Sequence, residues 1–291
     1  MRVTENLKYA NVLRNLSGLA SQQADASKKA LSGSAIANPS DDPVAAAELV
    51  RNRAALSRIE SHRSTIRTVL GDTELAEGTL AQASDLFASA KELALQGANG
   101  SLGPDERGAL AESVRHLREQ LAQLANTSGA RGYLFAGSQT SVRPFDASGT
   151  FFGDGEDAQV DLGGSSPVTV DLAGAEAFTV AGGRDVFGDL TALENALNAN
   201  DPTAVAATLD DLDTSRRQVV DARARVGLMA ERLRTSDSIF EDGSVRLNEH
   251  EQRVAQADPI EAYSRMMSLN SALEQAITVS RQILDTGNNR F

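Results

Sequence analysis

From Val205 onward the residues Val205, Leu209, Leu212, Arg216, Val219, Arg223, Val226, Ala230, Leu233, Asp237 and Phe240 step strictly by four and three. That spacing gathers side chains onto one stripe of an α-helix, and only Arg216, Arg223 and Asp237 interrupt its apolar character, so the segment reads as one long coiled-coil helix. A second series in the same spacing runs Leu49, Asn52, Leu56, Ile59, Arg63, Ile66, Leu70, Thr73, Glu77, Leu80, Ser84, Phe87, Lys91, Ala94, with more polar interruptions. A third, Leu110, Val114, Leu117, Leu121, Leu124, follows Gly103-Pro104. Each stripe left alone would face water, so the three are expected to pack as an antiparallel bundle. Composition agrees: there is no Cys or Trp, and aromatics make up 4%.

The expected class is therefore mainly α: a long antiparallel bundle or coiled-coil rod from the N- and C-terminal portions, with a small β-rich domain inserted in the middle. Between residues 131 and 190 helical spacing gives way to Gly, Asp, Thr, Val and Phe. Short strands are read at 133–135, 150–152, 159–162, 168–172 and 177–180. The expected organisation is an N-terminal assembly segment of helix plus extended linker (1–43), a helical rod (44–130), a β-rich outer domain (131–190), a return rod (191–257) and a C-terminal assembly helix (258–291).

Helix starts are marked. In Ser40-Asp41-Asp42-Pro43, Asp42 suits the N-cap and Pro43 the first helical position, where a missing N–H costs nothing. The ends are weaker. The stripe Tyr9, Leu13, Leu16, Ala20 dissolves into Gln23 and Ser27 with Gly18 inside it, whereas Met266, Leu269, Leu273, Ala276, Ser280 and Ile283 form a better one after Asp258-Pro259. Such helices want partners, so they are expected to pair with each other and with neighbouring subunits, ordering on assembly. Tyr9, Leu13, Leu16, Met266, Leu269, Leu273 and Ile283 are the expected assembly interface. Among the seam-breaking residues, stems covering the core edge explain Arg63, Arg216 and Arg223. A sharper reading has these arginines fix register between helices.

Charge excludes some partners. Residues 1–67 hold ten Lys/Arg against six Asp/Glu, but residues 146–214 hold fourteen Asp/Glu against a single Arg184. An acidic middle and a start without dense basic clustering argue against nucleic acid. No window approaches a membrane span, and the start Met1-Arg2-Val3-Thr4 has no apolar signal-peptide region.

Catalytic and ligand signatures fail on their details. His250-Glu251-Gln252-Arg253-Val254 lacks the second His of a zinc-protease helix, and His62 and His116 are isolated. Gly153-Asp154-Gly155-Glu156-Asp157-Ala158 matches a dinucleotide pattern but runs into a strand, and its carboxylates would repel a pyrophosphate; it reads as an acidic turn without EF-hand spacing. Asp41-Asp42 reads as a cap, and a thiol nucleophile is impossible without Cys. No enzyme, cofactor or metal is expected.

Several stretches resemble the flagellin superfamily: Ser40-Asp41-Asp42-Pro43-Val44-Ala45-Ala46, Lys91-Glu92-Leu93-Ala94-Leu95-Gln96-Gly97-Ala98-Asn99 and Asp258-Pro259-Ile260-Glu261-Ala262-Tyr263. Gly132-Tyr133-Leu134-Phe135-Ala136-Gly137-Ser138, followed by Arg143-Pro144-Phe145 and Phe151-Phe152-Gly153-Asp154, is similar to its hook-filament junction branch. The tail Asp285-Thr286-Gly287-Asn288-Asn289-Arg290-Phe291 departs from the apolar ending usual in filament flagellins. The resemblance implies a helical core, a β-rich outer domain and terminal helices that order in the assembled tube. It also implies a motility role in the extracellular flagellum, with type III export and no cleaved signal peptide. Implied partners are further copies in a ring or tube, a hook-associated protein on the hook side and flagellin on the filament side, with an export chaperone on the C-terminal segment in some members. A short filament flagellin is the same-class alternative. A type III-secreted effector, or a module binding a ligand or cation, is the different-class one.

Overall fold

The computed structural model describes residues 2–36, 38–154, 156, 158–160, 168–170 and 174–288. Among them the helices are α1 (Arg2–Ser32), α2 (Pro43–Gly97), α3 (Pro104–Ala125), α4 (Gly174–Phe178), α5 (Val186–Asn198), α6 (Pro202–Ala207), α7 (Leu209–Ala255) and α8 (Pro259–Asn288). The strands are β1 (Ser128–Gly129) with β2 (Gly132–Tyr133), and β3 (Ala158–Val160) with β4 (Val168–Val170), each an antiparallel pair. The mainly α class with a small β element is thus what the chain adopts. Two compact units form, Met1–Arg58 with Asp242–Phe291, and Ile59–Glu241; α2 and α7 contribute to both.

Asp-Pro pairs open three of these helices. Asp42 Oδ1 accepts from the Val44 and Ala45 amides at 3.0 and 2.9 Å, Asp201 Oδ1 from Thr203 and Ala204 at 2.9 and 3.0 Å, and Asp258 Oδ1 from Ile260 and Glu261 at 2.8 and 3.4 Å. Each carboxylate satisfies donors that the first turn leaves without partners, at about 1 kcal/mol apiece.

In the unit Ile59–Glu241 the heptad stripes become the core. Ile66, Val69, Leu80 and Phe87 of α2 meet Val114 and Leu121 of α3, Leu193 and Leu197 of α5, and Leu212, Val219, Val226 and Leu233 of α7, all essentially excluded from solvent. Ion pairs give the α2–α7 direction: Arg63 to Asp237, Glu74 to Arg234, Glu77 to Arg223 and Lys91 to Asp213. One number rises as the other falls, so the pairing is antiparallel. Two residues that interrupt their separate stripes, Arg63 and Asp237, turn out to be each other's partner. Arg63 Nε and Nη2 donate to the two Asp237 oxygens at 2.9 and 3.2 Å, and Nη2 also reaches Glu241 at 3.1 Å. Of the three arginines expected to fix register, Arg63 and Arg223 reach partners on the facing helix, whereas Arg216 lies exposed with no hydrogen bond or ion pair among the described residues.

The turn from α2 to α3 is held by one buried cation. Arg107, 3% exposed, donates from Nε to Gly97 O at 2.8 Å, from Nη2 to Asn99 O at 2.7 Å and from Nη1 to Leu102 O at 2.9 Å. Nη1 also reaches Asn200 Oδ1, on the turn between α5 and α6. Gly97 must be glycine for packing: a Cβ there would collide with Leu197. The α2 C-terminus carries partial negative charge, which suits a guanidinium without a carboxylate partner.

Over 131–190 the described residues form short β pairs alongside helical turns. The strands found are two or three residues long, and Phe151 joins Phe145 only as an isolated bridge; residues 161–162 and 171–172 of the expected strands lie outside the described residues. Ala177-Phe178-Thr179-Val180 is not a strand: Ala177 and Phe178 close α4, Thr179 is an extended cap, and Val180 opens a 3-10 turn (Val180–Gly182). The cause lies on α7. Gln218 Nε2 donates to the carbonyls of Ala177, Thr179 and Arg184 at 3.3, 3.1 and 3.1 Å and its Oε1 accepts from the Arg184 amide at 2.9 Å, supplying the backbone partners a neighbouring strand would have supplied. Around it Phe135, Phe145, Phe178 and Phe187 stack at centroid distances of 5.3 to 6.4 Å. Helix α5, already begun at Val186, belongs to this region too.

The single helix expected from Val205 to Phe240 is broken at Thr208, whose hydroxyl donates to Val205 O at 2.8 Å and ends α6; beyond it α7 runs past Phe240 to Ala255. The N-terminal helix, expected to fade after Ala20, continues to Ser32.

Two outcomes follow from these contacts. Arg107→Leu takes the side-chain donor from Gly97 O and Leu102 O and leaves Asn99 O only the Leu102 amide, and should cost about 3 kcal/mol, read as a lower urea midpoint of the full chain. The hydrogen bond from Arg63 holds the Asp237 carboxyl below its ordinary value of 3.8, against the opposing effect of burial. A depressed carboxyl stabilises the fold above its unfolded value and loses that contribution as pH falls through the folded one. Asp237→Asn should therefore cost about 1.5–3 kcal/mol at neutral pH, a gap to wild type that closes as unfolding is measured at pH values below 3.8.

Candidate assembly surface

In the unit Met1–Arg58 with Asp242–Phe291, α1 and α8 pack along each other. Their entry points are fastened. Ala35 N–H donates to Ala255 O at 2.7 Å and Ala257 N–H to Gly33 O at 2.9 Å, around the bridge between Ser34 and Gln256. Gly33 ends α1 with φ +66, the left-handed conformation glycine accepts without strain. Lys29 pairs with Asp41 at 3.2 Å, and Asp41 also accepts from the Asn38 amide at 2.9 Å, which fixes the turn leading to the Asp42 cap.

Where α2 and α7 contribute to this unit, polar contacts hold them. Asn52, a buried break in its heptad series, donates to Leu247 O at 2.9 Å; Arg53 pairs with Glu251 and His250 meets Glu48 at 2.7 Å. Buried apolar side chains among the described residues of this unit are few, Ala26 and Leu49. The contrast with the aliphatic and aromatic core of Ile59–Glu241 is one of energy, because each fully buried large side chain contributes about 1.5–3 kcal/mol.

The expected interface residues divide. On α8, Met266, Leu269 and Leu273 are half-buried at helical spacing with Ala262, Ala276 and Ser280; on α1, Leu16 is half-buried with Val12 and Leu19. These stripes face into the α1–α8 pairing. Leu13, by contrast, is 65% exposed. The side chains of Tyr9 and Ile283 lie outside those described.

A second apolar set on the same helices escaped the sequence reading. Leu31, Ile260, Tyr263, Met267 and Val279 are exposed, Met267 at 63% and Ile260 at 82%. Tyr263 and Met267 stand four apart on α8, a spacing that could have flagged them, but the stronger series from Met266 masked it. With Leu13 they give the terminal pair an outward apolar character that the pairing itself does not consume.

The remaining candidates for chemistry find ordinary roles. His62 lies against the Phe240 ring at 5.7 Å, His116 sits exposed near Glu112 and Glu119, and no group of His, Asp and Glu able to hold a metal ion occurs among the described residues. Asp154 caps a turn, accepting from the Ser138 amide at 2.9 Å and from its hydroxyl, which holds the carboxyl below its usual range; Gly155 and Asp157 of that acidic run lie outside the described residues. Arg184, isolated among acids in the sequence, pairs with Asp189 and with Asp211. No helix among the described residues is long and apolar enough to cross a membrane.

Comparison with known proteins agrees with this architecture. Residues 3–140 match the model of the bacterial flagellin N-terminal helical region. Flagellar hook-associated protein 3 of Salmonella typhimurium is 28% identical over 269 residues, covering 83% of this chain and 84% of its own. A flagellin of Halalkalibacterium halodurans is more distant, 22% identical over 288 residues that cover 97% and 96% of the two chains. In three dimensions the crystal structure of Xanthomonas campestris FlgL superposes with a TM-score of 0.58 at 22% identity, covering 69% of this chain and 98% of that one. The chain is thus similar to flagellar hook-associated protein 3 over most of both chains, to the flagellin N-terminal helical region over residues 3–140, and in fold to FlgL.

Proposed function

We propose that the chain is a structural, self-assembling component of the bacterial flagellum that forms the junction between hook and filament. The observation that carries this reading is the divided terminal pair: α1 and α8 spend one apolar stripe on each other and present Leu13, Tyr263 and Met267 outward. Similarity to a protein named for its association with the flagellar hook supports it. Neighbouring copies in a ring or tube cover the outward set, a hook-associated protein borders the ring on one side and flagellin on the other. The chain reaches this extracellular position by type III export, and an export chaperone holds the C-terminal segment before release.

Half-buried Leu16, Met266, Leu269 and Leu273 then act inside the subunit, and the exposed set acts between subunits. Replacing Tyr263 and Met267 together by Glu should leave the urea midpoint within about 0.5 kcal/mol of wild type, since both are surface positions, yet abolish incorporation into flagella. Electron microscopy of a complemented null strain reads this: hooks without attached filaments are the expected picture, and normal filaments would sink the assignment of this face. Deleting residues 2–32 or 259–288 should likewise block incorporation while Ile59–Glu241 keeps its cooperative unfolding. Amide exchange in the free protein should be faster in α1 and α8 than in the core helices, because few buried side chains oppose local opening.

A further inference from the structure

We propose that Asn99, in the turn between α2 and α3, is a site of spontaneous deamidation that the fold itself promotes. It is the one asparagine of the chain followed by glycine. Asn99 and Gly100 are both exposed, and a Cβ on Gly100 would meet nothing within 4 Å, so no side chain crowds the Gly100 α-carbon. That N–H donates to no acceptor among the described residues.

The Asn99 side chain is also polarised. Ser101 N–H donates to Asn99 Oδ1 at 3.1 Å and Ser101 Oγ donates to the same oxygen at 2.9 Å. Because a backbone N–H can only donate, the atom facing it must be the amide oxygen, which fixes the orientation of the side chain. Two donors on one carbonyl oxygen stabilise the negative charge that develops there when its carbon is attacked.

The chemistry needs only water. Gly100 N gives up its proton to solvent base and attacks Asn99 Cγ; the N–Cγ bond forms, the Cγ–Nδ2 bond breaks, and Nδ2 leaves as ammonia after taking a proton. The resulting five-membered imide is opened by water at Cγ, giving aspartate, or at the backbone carbonyl carbon, giving isoaspartate. No electrons are exchanged with an outside reagent.

The position gives the reaction a structural consequence. Asn99 O is one of the oxygens that receive the buried Arg107 guanidinium, at 2.7 Å. Isoaspartate routes the backbone at residue 99 through the β-carbon and turns the carbonyl that receives Arg107 into a free carboxylate beside the main chain. Aspartate keeps the backbone and adds a negative charge to the turn that Arg107 holds. Both products add charge beside the clamp, and only isoaspartate lengthens the turn it holds.

The test is incubation of the full-length folded protein in mildly alkaline buffer, with peptide mass spectrometry following amide-to-acid conversion at every asparagine. Asn99 should convert fastest, its isoaspartate fraction growing as Tm falls, while an Asn99→Asp variant keeps its Tm. Gly100→Ala, which the open space tolerates, should slow conversion by roughly tenfold or more, and Ser101→Ala, which removes one of the two donors, by a smaller factor. Conversion of Asn99 no faster than other asparagines, or unchanged in Gly100→Ala, would overturn the proposal. Faster reaction in urea than in the folded chain, or an unaltered rate in Ser101→Ala, would remove the role given to the fold.

Discussion

The pairing of α2 with α7 is the contact on which the unit Ile59–Glu241 depends, and it is a costly one to form. The paired residues are separated by long stretches of chain, Arg63 and Asp237 by nearly the length of the unit, so loop closure must be offset before the seam rewards it. Apolar burial supplies the magnitude, but stripes of Leu, Val and Ala can slide by a turn at modest cost. Arg63 against Asp237 cannot, because a slipped register leaves a guanidinium and a carboxylate unpaired at the edge of an apolar seam. The Arg107 clamp works at the other end of the same unit, where it ties the α2–α3 turn to the loop after α5. Between them the two arginines fix positions that hydrophobic contact alone leaves loose.

This division explains what could be read from the sequence. Heptad spacing marks the core stripes of α2, α3 and α7, since burial on a helix follows from local periodicity. Asp-Pro caps are local as well and are marked by residue type. Arg63 and Asp237 are visible as interruptions, but nothing in a single sequence says that two interruptions so far apart share one layer. The stretch over residues 177–180 was misread for the same reason. Alternating Phe, Thr and Val predicts strands when the backbone must find its partners nearby, and here Gln218, on a helix later in the chain, provides them. A side chain that substitutes for a strand leaves no periodic trace.

The terminal helices show the limit from the other side. Leu13 and Leu16 lie in one apolar series, yet one is 65% exposed and the other half-buried. Periodicity finds that a helix has apolar faces without saying which face goes inward, and a helix with two is ambiguous by construction. Part of the ambiguity is resolved by strength. On α8 the series through Met266, Leu269 and Leu273 is continuous and goes to α1, while Tyr263 and Met267 form a shorter patch beside it.

A shorter patch is what assembly from single subunits requires. Were the outward face as apolar and continuous as the α2–α7 seam, copies would associate wherever they met, since burial is non-directional and scales with area. The polar contacts of Asn52, Arg53 and His250 work in the same sense: they align the helices of their unit, and the Arg53 and His250 pairs, open to solvent, add little stability. The small core of this unit then makes its order dependent on what covers Leu13, Tyr263 and Met267. In the assembly proposed above, a neighbouring copy that binds only the ordered form would stabilise it by mass action, so that folding of the ends and growth of the assembly would become one equilibrium, driven by local concentration at the growing end.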